Sequence, residues 1–194
     1  MSFLPDNYEI PSSGGSYMKL EDGDNAIRIL KSPVIGYETW IETVDKKKAP
    51  VRIRMNETFK NPPPRDKIRH FWALLVWSYR DKASKVLILT QKSIQVAIKD
   101  YIENKKFGDP TTYDIHILRS GEGFDTEYRV QADPKEDLPQ EILKALESLN
   151  VHLENVYDNK DPFDNKVVVS QPDAPAPAPA ATKDDDISVE DVPW

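Results

Sequence analysis

The sequence predicts a mainly β fold, a five-stranded barrel with one helix between its third and fourth strands. Two observations lead to this prediction. Five main segments have the apolar–polar alternation or the apolar, β-branched and aromatic runs that are typical of strands. One intervening segment changes to the 3.6-residue period of an amphipathic helix.

The first three strands precede that helix. Residues 25–44 predict one long strand, bent near Pro33 and Gly36. Residues 45–66 are a basic, proline-rich excursion with a short strand at 51–54. Residues 67–79 are the strongest strand of the chain, and residues 85–90 return beside it after a turn.

Residues 91–110 predict the helix. Its apolar face consists of Ile94, Ala97, Ile98, Tyr101 and Ile102. Thr90 is a candidate N-cap, and Gly108 with Pro110 ends the helix. Two more strands, residues 111–120 and 126–132, are joined by the hairpin loop GEGFD. Strand, strand, strand, helix, strand, strand is the order of an OB-fold, which offers a strand face and loops to single-stranded nucleic acid.

Three further segments flank the barrel domain, residues 25–132. We expect residues 1–24 to form an irregular arm. Residues 133–170 are an acidic extension with a short helix at 138–149. Residues 171–194 combine a proline–alanine tether with the acidic stretch KDDDISVEDVPW, and we expect them to be disordered because they contain no core-forming pattern.

Charge is unevenly distributed along the chain. The formal net charge is −7, yet residues 25–132 carry 20 Lys and Arg against 13 Asp and Glu, a net charge of +7. The acids are concentrated in the flanking segments. This asymmetry favours a polyanion-binding body with an acidic tail, although positive charge scattered over a solvated surface is the alternative.

Several function classes are unsupported by the sequence. The chain has no cysteine and three histidines, none at metal-ligand spacing, so we expect neither a metal site nor a cofactor. No nucleophile–base pair or phosphate-binding loop is recognisable, and we therefore expect no enzymatic activity. No stretch has the length and apolarity of a membrane helix, and the first residues lack the order of a signal peptide; we expect a cytosolic protein.

Aromatic and basic residues interleave in residues 25–132, which contain 12 of the 18 aromatics. Single strands require this combination, because cations neutralise phosphates and flat rings stack on unpaired bases. The candidate DNA-contacting residues are Tyr37, Trp40, Lys46, Lys47, Lys48, Arg52, Arg54, Arg69, Phe71, Trp77, Tyr79, Arg119, Phe124 and Tyr128.

Each of these assignments has a structural alternative. Strand 67–79 is apolar on both faces, so it could be buried on both, with Phe71 and Trp77 in the core. Trp40 could pack at a rim, and Lys46–Lys48 could be simply solvated. We expect Trp72 to be a core residue.

The combined pattern resembles the single-stranded DNA-binding proteins of tailed bacteriophages. The matching pieces are GDNAIRIL at the first strand, FWA at residues 71–73, TQ-x-x-I at 90–94, GDP-x-x-YDI at 108–115 and the G-x-G and T-x-Y of the hairpin at 121–128. The resemblance covers roughly residues 20–135. It implies an OB-fold that coats single-stranded DNA during phage replication, recombination and repair, without sequence preference, in the cytoplasm of the infected bacterial host.

The acidic tail looks like the tails of bacterial single-strand-binding proteins, which end in Pro-Phe, but it is longer and has tryptophan instead. The resemblance implies recruitment of replication or recombination proteins. The candidate partner-binding residues are Asp184, Asp185, Asp186, Glu190, Asp191, Pro193 and Trp194. A solubility tail is the alternative.

We therefore expect a non-catalytic single-stranded DNA-binding protein, as a monomer or weak homodimer. An RNA-binding OB protein, a DNA-processing enzyme and an acidic interaction protein that binds no DNA are the competing hypotheses.

Overall fold

The computed structural model describes residues 15–43, 46–147 and 149–163, and its centre is one mixed β-sheet. The eight strands are β1 (Tyr17–Met18), β2 (Gly23–Ile29), β3 (Val34–Glu42), β4 (Lys48–Arg54), β5 (Arg69–Ser78), β6 (Ala83–Leu89), β7 (Asp114–Ser120) and β8 (Glu127–Ala132). The helices are α1 (Lys92–Glu103) and α2 (Gln140–Glu147). The prediction of a mainly β fold is confirmed.

The strands follow the order β1-β6-β5-β2-β7-β8, and β3 pairs with both β5 and β4. Along one edge of β5, β3 pairs with its first half and β2 with its second half. Among the described strands, only the β1–β6 pairing is parallel. Within the described residues no ladder joins β6 to β8, so the sheet is open.

Two strand predictions are corrected. The long first strand is two strands, β2 and β3, and the chain turns at residues 30–33, before Gly36. Gly36 lies inside β3, where a Cβ would stand 2.0 Å from the carbonyl oxygen of Ile53, so glycine here permits a close strand approach rather than a bend. The predicted irregular arm contributes β1 and the start of β2 to the sheet.

The helix predicted from the 3.6-residue period is confirmed as α1, but its N-cap is Gln91, not Thr90. Ile94 and Ile98 are buried against the sheet. In the β7–β8 hairpin Gly121 has φ +79, and a Cβ there would stand 2.2 Å from the carbonyl oxygen of Asp125. Glycine is therefore required at this turn.

Two apolar cores lie on opposite faces of β5. The first contains Leu74 and Val76 of β5 with residues of β2, β6, β7 and α1. The second contains Phe71, Ala73 and Leu75 of β5, Val86 of β6, and Leu153, Val156 and Phe163. Strand β5 is thus buried on both faces.

The second core exists because residues 149–163 fold back over the sheet. A 3-10 helix at Leu153–Asp158 places residues three apart on one side, so Leu153 and Val156 face β5 together, with exposures of 4% and 0%. Ser16 Oγ donates to Asp161 at 2.8 Å. Residues 149–163, which the sequence assigned to an acidic extension outside the barrel domain, are therefore part of the folded body.

Among the described residues, no helix has the length and apolarity needed to cross a membrane.

Candidate nucleic-acid interface

Two aromatic candidates are buried. Phe71 is 0% exposed and Trp77 is 6% exposed, so neither ring offers a free face to a base. Phe71 lies under the 149–163 segment, with the Tyr157 ring 6.0 Å away. Trp77 borders a small cleft shared with Pro139 and Ile142. The prediction that these two rings contact DNA is therefore corrected, because both are core residues.

Tyr79 belongs to a partly buried polar network. Its hydroxyl donates to Asp114 Oδ1 at 2.9 Å, and the same carboxylate pairs with the buried guanidinium of Arg28. Burial, followed by the hydrogen bond to Asp114, raises the pKa of Tyr79 to about 12. The phenol links β5 to β7 instead of presenting an open ring to a ligand.

The two arginines of β4 are already paired with acids. Arg52 Nε lies 3.0 Å from Glu38 Oε2, and the two side chains are only 9% and 5% exposed. Arg54 contacts Glu57 and Glu154 at 3.3 and 3.0 Å, and its guanidinium lies 4.4 Å from the centre of the Tyr157 ring. Hydrogen bonds to Glu154 and Glu57 raise the pKa of Arg54. The interpretation of Arg52 and Arg54 as free phosphate-binding side chains is corrected, because both guanidinium groups are paired with carboxylates.

One group of candidates is exposed and shares a surface. Trp40, Lys48 and Arg69 lie on the same face of the sheet, as the alternation of side chains and the ladder register require. Trp40 is 43% exposed. Lys46 and Lys47 lie at the tip of the β3–β4 hairpin, immediately before Lys48. We call Trp40, Lys46, Lys47, Lys48 and Arg69 the hairpin strip.

The cations of the hairpin strip form no ion pair within the described residues. All four, Lys46, Lys47, Lys48 and Arg69, are exposed. In the sequence, residues 42–48 contain two acids, Glu42 and Asp45, and three lysines; together with Arg69 they carry a net charge of +2. The strip therefore combines an accessible indole with positive charge.

Tyr37 lies on the opposite face of β3. Its ring meets that of His70 edge-to-face at 5.8 Å, and His70 Nδ1 lies 3.3 Å from Gln95 Oε1. Tyr37 is half-buried and does not join the hairpin strip.

The last three candidates form a separate group at the β7–β8 hairpin. Arg119 faces Tyr128 across the ladder, Tyr128 packs against the first core, and Phe124 is 72% exposed at the tip. Strand β2 connects this hairpin to β5. Ile27 of β2 pairs with Ser78 at the end of β5, and Gly23, at the start of β2, pairs with Arg119. The group therefore lies beyond the Ser78 end of β5, whereas Arg69 lies at the other end. The ten residues of β5 span about 30 Å, so this group and the hairpin strip are far apart.

The sequence did not reveal the acids that pair with Arg52 and Arg54. Glu38 neighbours Arg52 only through strand pairing, and Glu154 is 100 residues from Arg54. No local pattern connects either pair. The tail candidates, Asp184, Asp185, Asp186, Glu190, Asp191, Pro193 and Trp194, lie outside the described residues.

Comparison of the chain with family models, curated proteins and solved structures gives no match. Within the described ranges, no three His, Asp or Glu side chains are grouped as ligands for a metal ion.

Proposed function

We propose that this protein is a non-catalytic, sequence-independent single-stranded DNA-binding protein. The observation that carries the proposal is the hairpin strip, in which an exposed tryptophan stands among four cations that have no ion-pair partner in the part of the chain that the structure describes. Base stacking on an aromatic ring contributes roughly 1–3 kcal/mol per base, whatever the base. The lysines and Arg69 supply the charge that phosphates require.

The strand connections support an OB-type barrel. If β2 and β3 count as one bent first strand, the neighbours run β6-β5-β2-β7-β8, and α1 connects the third strand to the fourth. These are the neighbours expected of a partly open five-stranded Greek-key barrel. In this reading the 149–163 segment covers the outer face of β5, so DNA would follow the β3–β4 hairpin.

The acidic stretch near the end of the sequence extends the proposal to partners. Residues 183–194 carry five acids and one lysine around a single tryptophan. Such a peptide suits a partner with an apolar pocket and a basic rim. We propose that replication or recombination proteins are recruited in this way in an infected bacterial cell, with the DNA-binding protein acting as a monomer or weak homodimer.

The test is a titration of fluorescein-labelled oligo-dT with the full chain, monitored by fluorescence anisotropy of the label, a signal that does not depend on any tryptophan of the protein. Trp40→Ala should weaken binding roughly 5- to 150-fold, which corresponds to the loss of one stacked base. The matched control is Ile41→Ala. Ile41 is 46% exposed, but its side chain lies on the opposite face of β3, so this variant should bind like the native chain.

Salt dependence tests the charged half of the strip. Each phosphate neutralised on a single strand contributes about −0.7 to the slope of log affinity against log salt. Up to four contacts therefore predict a slope as steep as about −2.8. A slope near zero, or full affinity in Trp40→Ala, would contradict the proposed interface. Tighter binding to poly-U would favour an RNA-binding protein, and magnesium-dependent cleavage would indicate an enzyme.

A further inference from the structure

An apolar groove lies between α1 and the β2–β3 turn, away from the hairpin strip. Its volume is about 380 Å³, within the usual range of ligand pockets. Apolar side chains form most of its wall, including Ile35, Trp72, Ile98 and Ile102. Ile35 and Ile102 are each 40% exposed. The groove thus presents apolar surface to solvent.

Two lysines line the groove, Lys31 at the β2–β3 turn and Lys99 on α1. Lys99 Nζ already lies 3.0 Å from Glu103 Oε1, whereas Lys31 has no carboxylate partner within the described residues. The acid at its rim, Asp109, already accepts hydrogen bonds from the backbone and hydroxyl of Thr111 at 3.0 and 2.9 Å. Hydrogen bonds from Thr111 lower the pKa of Asp109. An apolar floor with Lys31 at the rim fits an apolar side chain that is accompanied by a carboxylate.

The last described residue of the chain lies near this groove. Lys31 Nζ donates to the carbonyl oxygen of Val151 at 3.2 Å, and Val151 pairs with Phe163, the last described residue. The chain therefore leaves the described body next to a lysine that lines the groove. Thirty-one residues follow in the sequence, and at most roughly 3.3–3.6 Å per residue gives a reach of about 100 Å.

We propose that the groove is a binding site for Trp194 and its acidic neighbours, docked from the same chain. The indole would pack against Ile35, Trp72 and Ile102, with Asp191 near Lys31. Residues 183–194 carry a net charge of −4, which complements the charge of Lys31.

Weak intrinsic affinity suffices for docking within one chain. A short tether holds its peptide at an effective concentration of about 1 mM. A peptide with a dissociation constant of about 0.1 mM would then be docked in roughly nine-tenths of the molecules.

Docking here has a specific consequence for recruitment. While Trp194 occupies the groove, a partner's pocket cannot take it, so partner and groove compete for one side chain. None of the groove residues belongs to the hairpin strip. DNA bound to the strip therefore does not displace the tail directly, and the inference stands independently of DNA binding.

The test uses the full chain labelled with 5-fluorotryptophan and observed by fluorine NMR without DNA. The signal that disappears in Trp194→Phe identifies Trp194. In the native chain this signal should be displaced from that of a labelled peptide of residues 183–194, and as broad as the signals of the body. In Ile102→Glu it should return to the peptide position and narrow.

The matched control is Val96→Glu, which adds the same charge to α1. Val96 is 48% exposed and does not line the groove, so the Trp194 signal should remain at its native position. In both variants the signals of Trp40 and Trp77 should be unchanged, which reports an intact fold.

A native Trp194 signal at the peptide position, or one insensitive to Ile102→Glu, would overturn the proposal. A displaced signal that returns to the peptide position on dilution would assign the groove to a second copy's tail and contradict docking within one chain. If poly-dT moves the Trp72 signal while Trp194 stays at the peptide position, the groove binds DNA instead.

Discussion

Leu153→Ala tests whether residues 149–163 are a structural part of the body. Leu153 is 4% exposed and packs in the second core with Phe71, Leu75 and Val156. Truncation removes apolar burial and leaves a cavity, since the residues around it also hold the β5–β6 ladder and cannot close freely.

The expected loss follows from that burial. Leucine-to-alanine changes in well-packed cores cost about 2–5 kcal/mol of unfolding free energy. With a urea m-value of about 2 kcal/mol/M, the midpoint should fall by roughly 1–2.5 M.

The assay is equilibrium urea unfolding followed by tryptophan fluorescence, with far-ultraviolet circular dichroism as a second probe. Val96→Ala is the control: it shortens an exposed side chain on α1 and should change the unfolding free energy by no more than about 0.5 kcal/mol. If Leu153→Ala and the control unfold at the same urea concentration, the 149–163 segment contributes nothing to the core, and the outer face of β5 is again available to DNA.

The remaining predictions concern two ionic contacts. Arg52→Ala leaves the Glu38 carboxylate buried without its partner, which should cost about 3–5 kcal/mol; normal urea stability with weakened DNA binding would instead support a phosphate contact. Burial lowers the pKa of His116, but hydrogen bonds to Asp24 and Asp133 outweigh it and raise the pKa above 6.5. The resulting stabilisation is complete below pH 6.5 and is lost as pH rises through the folded-state pKa. In His116→Gln, the urea unfolding midpoint should therefore differ less between about pH 5.5 and pH 9 than it does in the native chain. If the difference is the same in both proteins, groups other than His116 cause the pH dependence of stability.

Local patterns were sufficient where neighbours along the chain decide the structure. Alternation located β5, β6, β7 and β8 to within a few residues, and the 3.6-residue period located α1. The loop GEGFD identified the β7–β8 hairpin because Gly121 must adopt a positive φ there. In each case the determining interactions lie within one turn or one hairpin, so a short window of sequence contains them.

The sequence alone could not decide which face of β5 is accessible. Alternation divided its side chains into two sets, but both sets are apolar, and the choice depends on what covers them. The cover comes from Leu153, Val156 and Phe163, more than 60 residues away in an acidic segment without strand periodicity.

By itself, then, the sequence determined the strand and helix content, the basic body and the acidic flanks. These follow from composition and from contacts between residues close in the chain. Tertiary structure decided which candidates remain accessible: it buried Phe71 and Trp77, paired Arg52 with Glu38, and left Trp40 exposed beside cations. The physical reason is that burial and ion pairing depend on residues that the fold brings together from distant parts of the chain. The local sequence around a residue does not indicate which distant residue will cover it or pair with it.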